Sequence, residues 1–544
     1  MPHKSRLNLS APAARAAIAG AALLAAASGL IAGYIRTPSA EQPWTFRFAA
    51  QSGLNSLDPY TLNESFTLGT LANVMEGLIK RDENLKIIPG LAERWEVLEP
   101  KRWRFHLRKG VAFHDGSPFT ADDVIFSAER ARAPGSQLKT RIPADAQVVK
   151  VDDYTVDFVL ASPNPILHSE WETWFIMSKS WAEAKGATKV QPAAATALSP
   201  FALTANGTGP FVVASHEPGV KTVFRPNPKY WGKPEHDVSE IVFQSLHADA
   251  TRVAALLSGE IDLIDPLPVQ DIARIKKSAT ARVLSRPEVR TIFLNMDSMR
   301  DELPGIRGRN PFKDARVRRA FYQAIDIEAI KAKVMRGMAS PTALMIADDL
   351  FPAGSAIKRW PYDVAAAKAL MADAGYAKGF DLVMDCPNDR YVNDEQICQA
   401  VTGMLSRIGV RVKMNALPKA QYFEKVGPPR YDSAFNLLGW APGSLDSWNI
   451  LANLVGCRDA KGKGGTFNFG GYCNPAIDAL TRKILIETDH AARDHMIGEA
   501  YKLLRDDAGI IPLHQQMLTW GVSKRIHVVQ RADGHVRFAW IRKQ

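Results

Sequence analysis

The sequence predicts an α/β fold with a β-rich front half, an α/β back half and a C-terminal segment that returns to the front. Three observations predict it. Apolar and polar residues alternate with a period of two through most of the chain before about residue 297, as half-buried strands require. Beyond that point "FDLVMDCP" (380–387), "DEQICQAVTGMLSRIG" (394–409) and "VRVKMNALP" (410–418) read as strand, helix and strand, a unit of the βαβ kind. The last long apolar run, "IIPLHQQMLTWGVS" (510–523), has strand character again.

Taken in order, "WTFRFAAQ" (44–51) alternates as a strand and "NSLDPYT" (55–61) breaks it at Asp-Pro. "FTLGTLANVMEGLIK" (66–80) reads as a helix, and "RWRFHLRKGVAF" (102–113) as a strand that ends in the turn His114–Asp115–Gly116. In "FTADDVIFSAERAR" (119–132), Thr120 and Asp123 have the spacing of a capping box. Asp122 and Asp123 also suit the positive end of that helix. Adjacent carboxylates on a helix point to different sides, so His114, Asp115, Asp122 and Asp123 read as scaffolding rather than as an acid–base or metal centre. Residues 146–161 form a hairpin around Asp152–Asp153, and strands follow at 207–217, 221–227 and 240–246. A helix and short strand occupy 249–265, and another strand 288–296. Helices are predicted at 312–335, 363–375, 474–489 and 491–509, with a strand at 432–440.

The 544 residues suffice for several cores, roughly three to four domain-sized units. At 46% hydrophobic and 23% charged, the composition is that of a soluble globular protein. The net charge of +11 falls to +7 once the four basic residues of 1–40 are set aside. No basic run is interleaved with aromatics, so nucleic acid is not an expected partner. Lys4, Arg6 and Arg15 precede the apolar run "AAIAGAALLAAASGLIAGYI", the pattern of an export signal. The run is close to the length that spans a bilayer, so residues 1–40 are either a signal cleaved after Ala40 or a retained N-terminal anchor. A periplasmic location is expected in both cases. Four cysteines in an exported chain favour disulfides. Of the three possible connectivities, the simplest joins the sequence-local pairs Cys386–Cys398 and Cys457–Cys473. No C-x-x-C, G-x-S-x-G, Walker A, G-x-G-x-x-G or H-E-x-x-H occurs, so no enzyme, cofactor or metal site is expected.

A series of segments, in order, carries a family resemblance. They include "SLDP" (56–59), "PGLAERWEV" (89–97), "FHLRKGVAFHDGSPFTADDVIFS" (105–127), "GTGPFVV" (207–213), "NPKYWG" (227–232), "PFKDARVRRAFYQAID" (311–326), "YDSAFNLLGW" (431–440) and "AGIIPLH" (508–514). With these the chain resembles the exported solute-binding proteins of the dipeptide, oligopeptide and nickel type that serve ABC importers. The resemblance implies a two-lobed periplasmic-binding-protein-like fold with a hinge near "TIFLNM" and "IIPLHQQ". It implies a first lobe of 41–290 with a subdomain inserted at about 80–200, a second lobe of 291–512, and a return of 513–544 to the first. The implied function is capture of a peptide or peptide-like solute by a monomer. The partners implied are a membrane permease and ATPases on other chains. Binders of a metal chelate or haem within the family, and ligand-dependent signalling partners, are the alternatives.

The resemblance also implies site residues. Arg390, in "CPNDRYVND" (386–394), matches an Arg that pairs with the ligand's carboxylate in peptide-binding relatives, a role that suits a planar guanidinium. Those relatives place an Asp three residues after the Trp of "GW". Here "GWAPGSLDSWN" (439–449) has Gly443 at that position, with Asp446 as the nearest carboxylate. Either Asp446 takes over the ligand's ammonium and Arg390 its carboxylate, or the ligand lacks an amine there and Asp446 caps a helix. Trp440 and Trp448 are expected as aromatic walls. A bridge after the "GW" motif in peptide-binding relatives supports the Cys457–Cys473 pairing.

Overall fold

The computed structural model describes residues 44–544 apart from 194, 196, 304–307 and 459–463. The leader, with its expected signal or anchor, lies outside the described residues. Among the described residues no helix is long and apolar enough to cross a membrane.

The architecture follows from two long strands, Ala281–Met296 and Ile510–Ser523. They pair antiparallel from Ala281 opposite Ser523 to Asn295 opposite Ile510. At one end Phe293, Leu294, Ile511 and Leu513 join a core built from the back half of the chain. At the other end Trp520 and Val522 join a core built around Phe46, Phe48, Phe243 and Trp171. The register slips between Pro287 and Thr291, and again between Ile292 and Phe293, as the ribbon passes from one core to the other. Pro287 carries no amide hydrogen, so regular pairing is already weakened at this crossing.

The remaining strands extend the same sheet on either side of the ribbon. On the front side the order is 263–265, 45–50, 240–245, 221–226 and 211–217. Thr45–Ala50 runs parallel to both Glu240–Ser245 and Leu263–Asp265. On the back side the order is 435–440, 381–387 and 411–417. Asp381–Pro387 runs parallel to both of its neighbours. Parallel strands are covered on both faces, which is why "FNLLG" (435–439) is apolar almost throughout and buried. Each core is therefore an α/β unit, and the molecule has the two-lobed fold.

A separate four-stranded antiparallel sheet, 92–99, 102–107, 155–159 and 147–152, packs on the front core. The helix Ala121–Arg132 leads away from its edge. Asp123 begins that helix as the spacing predicts: its Oδ2 accepts the Thr120 N–H at 2.9 Å, and its Oδ1 accepts the Lys179 N–H at 2.8 Å. Asp115 accepts the Ser117 N–H and hydroxyl, and the His114 N–H donates to the Gly207 carbonyl. Asp122 pairs with exposed Lys150 at 2.8 Å. Asp115, Asp123 and the His114 backbone hold a turn or a helix end, and Asp122 makes a surface ion pair.

One element differs from its sequence reading. The helix expected over 66–80 spans only Ser65–Leu71, and Ile79–Arg81 is a strand. Asn73 Nδ2 donates to the Gly69, Thr70 and Val536 carbonyls, which ties the chain to the C-terminal segment where the helix would have continued. Gly77 then passes so close to the Trp171 carbonyl that a Cβ would lie 1.9 Å from its oxygen. Tertiary contacts overrode a good helical pattern.

Both sequence-local disulfides are formed, Cys386–Cys398 and Cys457–Cys473. The first joins the end of the 381–387 strand to the helix Asp394–Leu405. The second brackets the Gly-rich stretch that follows the Ser447–Ile450 helix.

Candidate functional site

A cavity lies where the two cores face each other. It has about 100 Å³ open to the centre of a water-sized sphere, room for roughly seven to ten waters. Asn63, Glu64, Arg141, Glu172 and His535 line it from the front; Arg390, Tyr391, Trp440, Gly443 and Phe467 line it from the back. Arg290, on the ribbon, closes one side.

Glu64 organises the centre of this site. It caps the Ser65–Leu71 helix, accepting the Phe66 N–H at 3.2 Å and the Thr67 N–H at 2.9 Å. From the opposite core come two cations: Arg390 Nη2 at 2.8 Å from Oε1 and Lys419 Nζ at 3.7 Å from Oε2. The Glu64 side chain is 2% exposed. Burial, the largest influence, pushes its carboxyl up, but Arg390, Lys419 and the Thr67 hydrogen bonds outweigh it and hold the group well below the usual carboxylate range. Burial pushes the Lys419 ammonium down despite the same carboxylate, and the neighbouring Arg390 charge adds to that.

Arg390 reaches this point from the loop after the Asp381–Pro387 strand. Asp394 sets the loop: its Oδ2 accepts the N–H groups of Arg390 at 2.9 Å and Tyr391 at 2.8 Å. The Arg390 guanidinium then lies over the Tyr391 ring, 4.8 Å from its centroid. Its Nε is buried without a hydrogen-bond partner.

Asp394 gives the site a pH dependence. Burial, against the backbone N–H groups of Tyr391, Arg390 and Glu395, pushes its carboxyl up to about 7. An exposed Asp titrates near 3.9. The folded chain therefore holds a proton that the unfolded chain releases between about pH 4 and 7, so this group's contribution to stability falls as pH rises through that window and is flat above it. Asp394→Asn should remove that slope, worth up to about 4 kcal/mol across the window. Denaturant unfolding of both proteins at pH 4.5 and pH 8 checks it; a stability difference independent of pH would count against the assignment.

The structure brings Arg390, Trp440 and Gly443 together at the cavity. Trp440 donates its Nε1–H to Asn449 Oδ1 at 2.8 Å, and its ring centroid lies 4.9 Å from that of Phe467. Asp446 does not line the cavity. It caps the Ser447–Ile450 helix through the Trp448 N–H and receives two N–H groups of Arg493, at 2.8 and 2.7 Å. Trp448 faces a neighbouring cleft, which it shares with Arg141, Glu170 and Asn453.

Sequence reasoning missed Glu64, Arg141, Arg290, Glu172 and His535. Glu64 directly precedes an apolar helical run and was legible as a cap; its ion partners, more than 300 residues away, were not. Glu172, Asp533 and His535 hold ligand-type atoms within 4.8 Å of one another. Their surroundings are cationic, however. Arg531 donates to both Glu172 oxygens at 3.0 Å, Arg537 donates to Glu172, and Arg531 also pairs with Asp533 at 2.5 Å. Burial pushes His535 down to about 4, so it is neutral near pH 7. These arginines supply the positive charge that a metal ion would otherwise bring.

A cavity between two α/β cores, joined through a two-stranded ribbon and its neighbours, defines a binding protein that takes up a small solute. The middle-region model of the bacterial extracellular solute-binding proteins, family 5, matches residues 86–462, and the chain belongs to that family. It is 27% identical over 470 residues to the dipeptide-binding protein of Escherichia coli (strain K12), covering 81% of this chain and 83% of that protein. Its fold is similar to that of the ABC transporter-associated periplasmic binding protein DppA from Helicobacter pylori in complex with peptide STSA. That match has a TM-score of 0.82 and 22% identity, and covers 92% of this chain and 98% of the other. A further similar fold is the PBP AgaA from A. tumefaciens R10 in complex with agropinic acid, with a TM-score of 0.80, 22% identity, and coverage of 92% of this chain and 99% of the other.

Proposed function

We propose that this chain is the extracytoplasmic solute-binding component of an ABC importer. It captures a peptide or peptide-like, carboxylate-bearing solute between its lobes and presents it to a membrane permease. It does no chemistry on the solute. In this reading residues 41–290 form the first lobe with an inserted subdomain at about 80–200, 291–512 form the second, and 513–544 return to the first. Closure is a hinge movement about the two crossing strands. The observation that carries the proposal is the cavity between the two cores with the buried Arg390 guanidinium on its wall, its Nε–H lacking a partner. A solute carboxylate pairs with this guanidinium as the lobes close around it. The volume suits a solute of about ten non-hydrogen atoms, the scale of a dipeptide.

Mass spectrometry of the solute that copurifies with the exported protein tests this, followed by calorimetry with that solute. Arg390→Lys keeps the charge opposite Glu64 but loses the Nε–H. It should weaken binding by about 1.5–3 kcal/mol, the worth of a hydrogen bond to a charged group. Recovery of no small solute, together with no binding of short peptides, would remove the peptide reading.

A further inference from the structure

The charged groups around the cavity are not balanced in availability. Arg141 ends the turn Lys139–Arg141 and is 5% exposed. Its Nη1 donates to Glu170 and its Nη2 to Asn63 Oδ1 at 3.1 Å, while its Nε is buried without a partner. Arg390, on the opposite core, has the same unmet Nε–H. A buried donor left unpaired is costly, and more so when it is charged. Both guanidiniums line the cavity, and each keeps an N–H without an acceptor.

The carboxylates on the same walls are all taken. Glu64 is held by Arg390, Lys419 and Thr67. Glu172 is held by Arg531 and Arg537, and Asp533 by Arg531 and the His535 N–H. None of the three is left to receive an ammonium group. Gly443 completes the asymmetry. A Cβ built on it would lie 3.2 Å from Arg141 Nη1, so the second core meets this guanidinium with bare backbone and no counter-charge.

We propose that the cavity selects a solute with a carboxylate at each end and no free ammonium, such as an amino acid acylated by a diacid, and that Arg141 is the determinant of that preference. The inference rests on the solute-binding reading and narrows its ligand class. A peptide-like backbone joins the two acids. Arg390 meets one of them and Arg141 the other. The Glu170 that pairs with Arg141 is itself held from the second core by Asn449 Nδ2, so the Arg141 subsite is assembled when the two cores meet.

The test is calorimetry on the ligand-free protein with two probes of similar size, N-succinylalanine and alanylalanine. The first has two carboxylates and no amine; the second has one of each charge. N-succinylalanine should bind at least tenfold more tightly. Gly443→Asp places a carboxylate against Arg141 on backbone whose φ is open to any residue. It should cut N-succinylalanine affinity at least tenfold and shift the preference toward alanylalanine. Arg141→Lys, which keeps the charge but not the Nε–H, should lose less. Melting temperatures of the variants report on folding separately. Equal or tighter binding of alanylalanine by the native protein overturns the diacid preference and leaves the peptide reading standing. So does binding of neither probe by a protein from which a peptide is recovered. An unchanged preference in Gly443→Asp overturns the role of Arg141.

Discussion

Glu64→Gln should weaken solute binding by about two to three orders of magnitude while moving the melting temperature of the ligand-free protein by only a few degrees. The asymmetry follows from where the partners of Glu64 lie. Its carboxylate caps a helix of one core, and Arg390 and Lys419 reach it from the other. These ion pairs exist only while the cores are together. Removing one partner of a buried pair costs about 3–5 kcal/mol, because the remaining charges stay desolvated. In an open molecule Arg390 and Lys419 regain water, so the cost falls on closure and not on folding. A ligand that binds the closed form loses affinity in proportion to the fraction still able to close. Gln keeps an acceptor for the Thr67 N–H, so the cap largely survives. Calorimetry with the recovered solute gives the affinity, and small-angle scattering without solute gives the shape. Native affinity combined with an unchanged radius of gyration would falsify the idea that Glu64 latches the cores.

A second substitution should act on stability instead. Glu172→Ala is expected to destabilise the folded chain by about 3–5 kcal/mol, the cost of leaving buried charges without their partner. Glu172 is bound by Arg531 through two N–H groups and by Arg537, with Arg81 4.0 Å away. Arg531 has no exposed surface. Without Glu172, Arg531 retains Asp533, whose carboxyl burial pushes up but the cationic surroundings, Arg531 among them, hold below its ordinary value. Arg531 and Arg537 belong to the segment that packs Val528, Val536 and Phe538 onto the front core. Loosening should therefore concentrate there. Hydrogen exchange should rise across 526–541 before it rises elsewhere, and denaturant unfolding should give the free-energy loss. Glu172→Gln should lose less, since an amide oxygen still accepts from Arg531. Native-like exchange in this segment in Glu172→Ala would show that apolar packing alone holds it.

The sequence by itself determined the class of fold and most of its elements. The strand alternation of 44–51, the capping box of Thr120 and Asp123, and the strand–helix–strand run of 380–418 are local patterns. Their hydrogen bonds close within a few residues, so periodicity and spacing suffice to read them. The two sequence-local disulfides, the simplest of the three connectivities that the four cysteines allow, are the ones formed. Arg390 and Gly443, singled out through a resemblance in local motifs, and Trp440, expected as an aromatic wall, all line the cavity. The tertiary structure decided the rest. Asp446 and Gly443 are three residues apart, yet only one faces the cavity, because Asp446 turns away to cap a helix and hold Arg493. The helix expected over 66–80 stops at Leu71, because Asn73 and Gly77 meet the chain near residues 536 and 171. Glu64, Arg141 and Glu172 gain their roles from partners far away in sequence. The energy of a buried charge depends on which opposite charges surround it in space, and neither composition nor spacing along the chain records that.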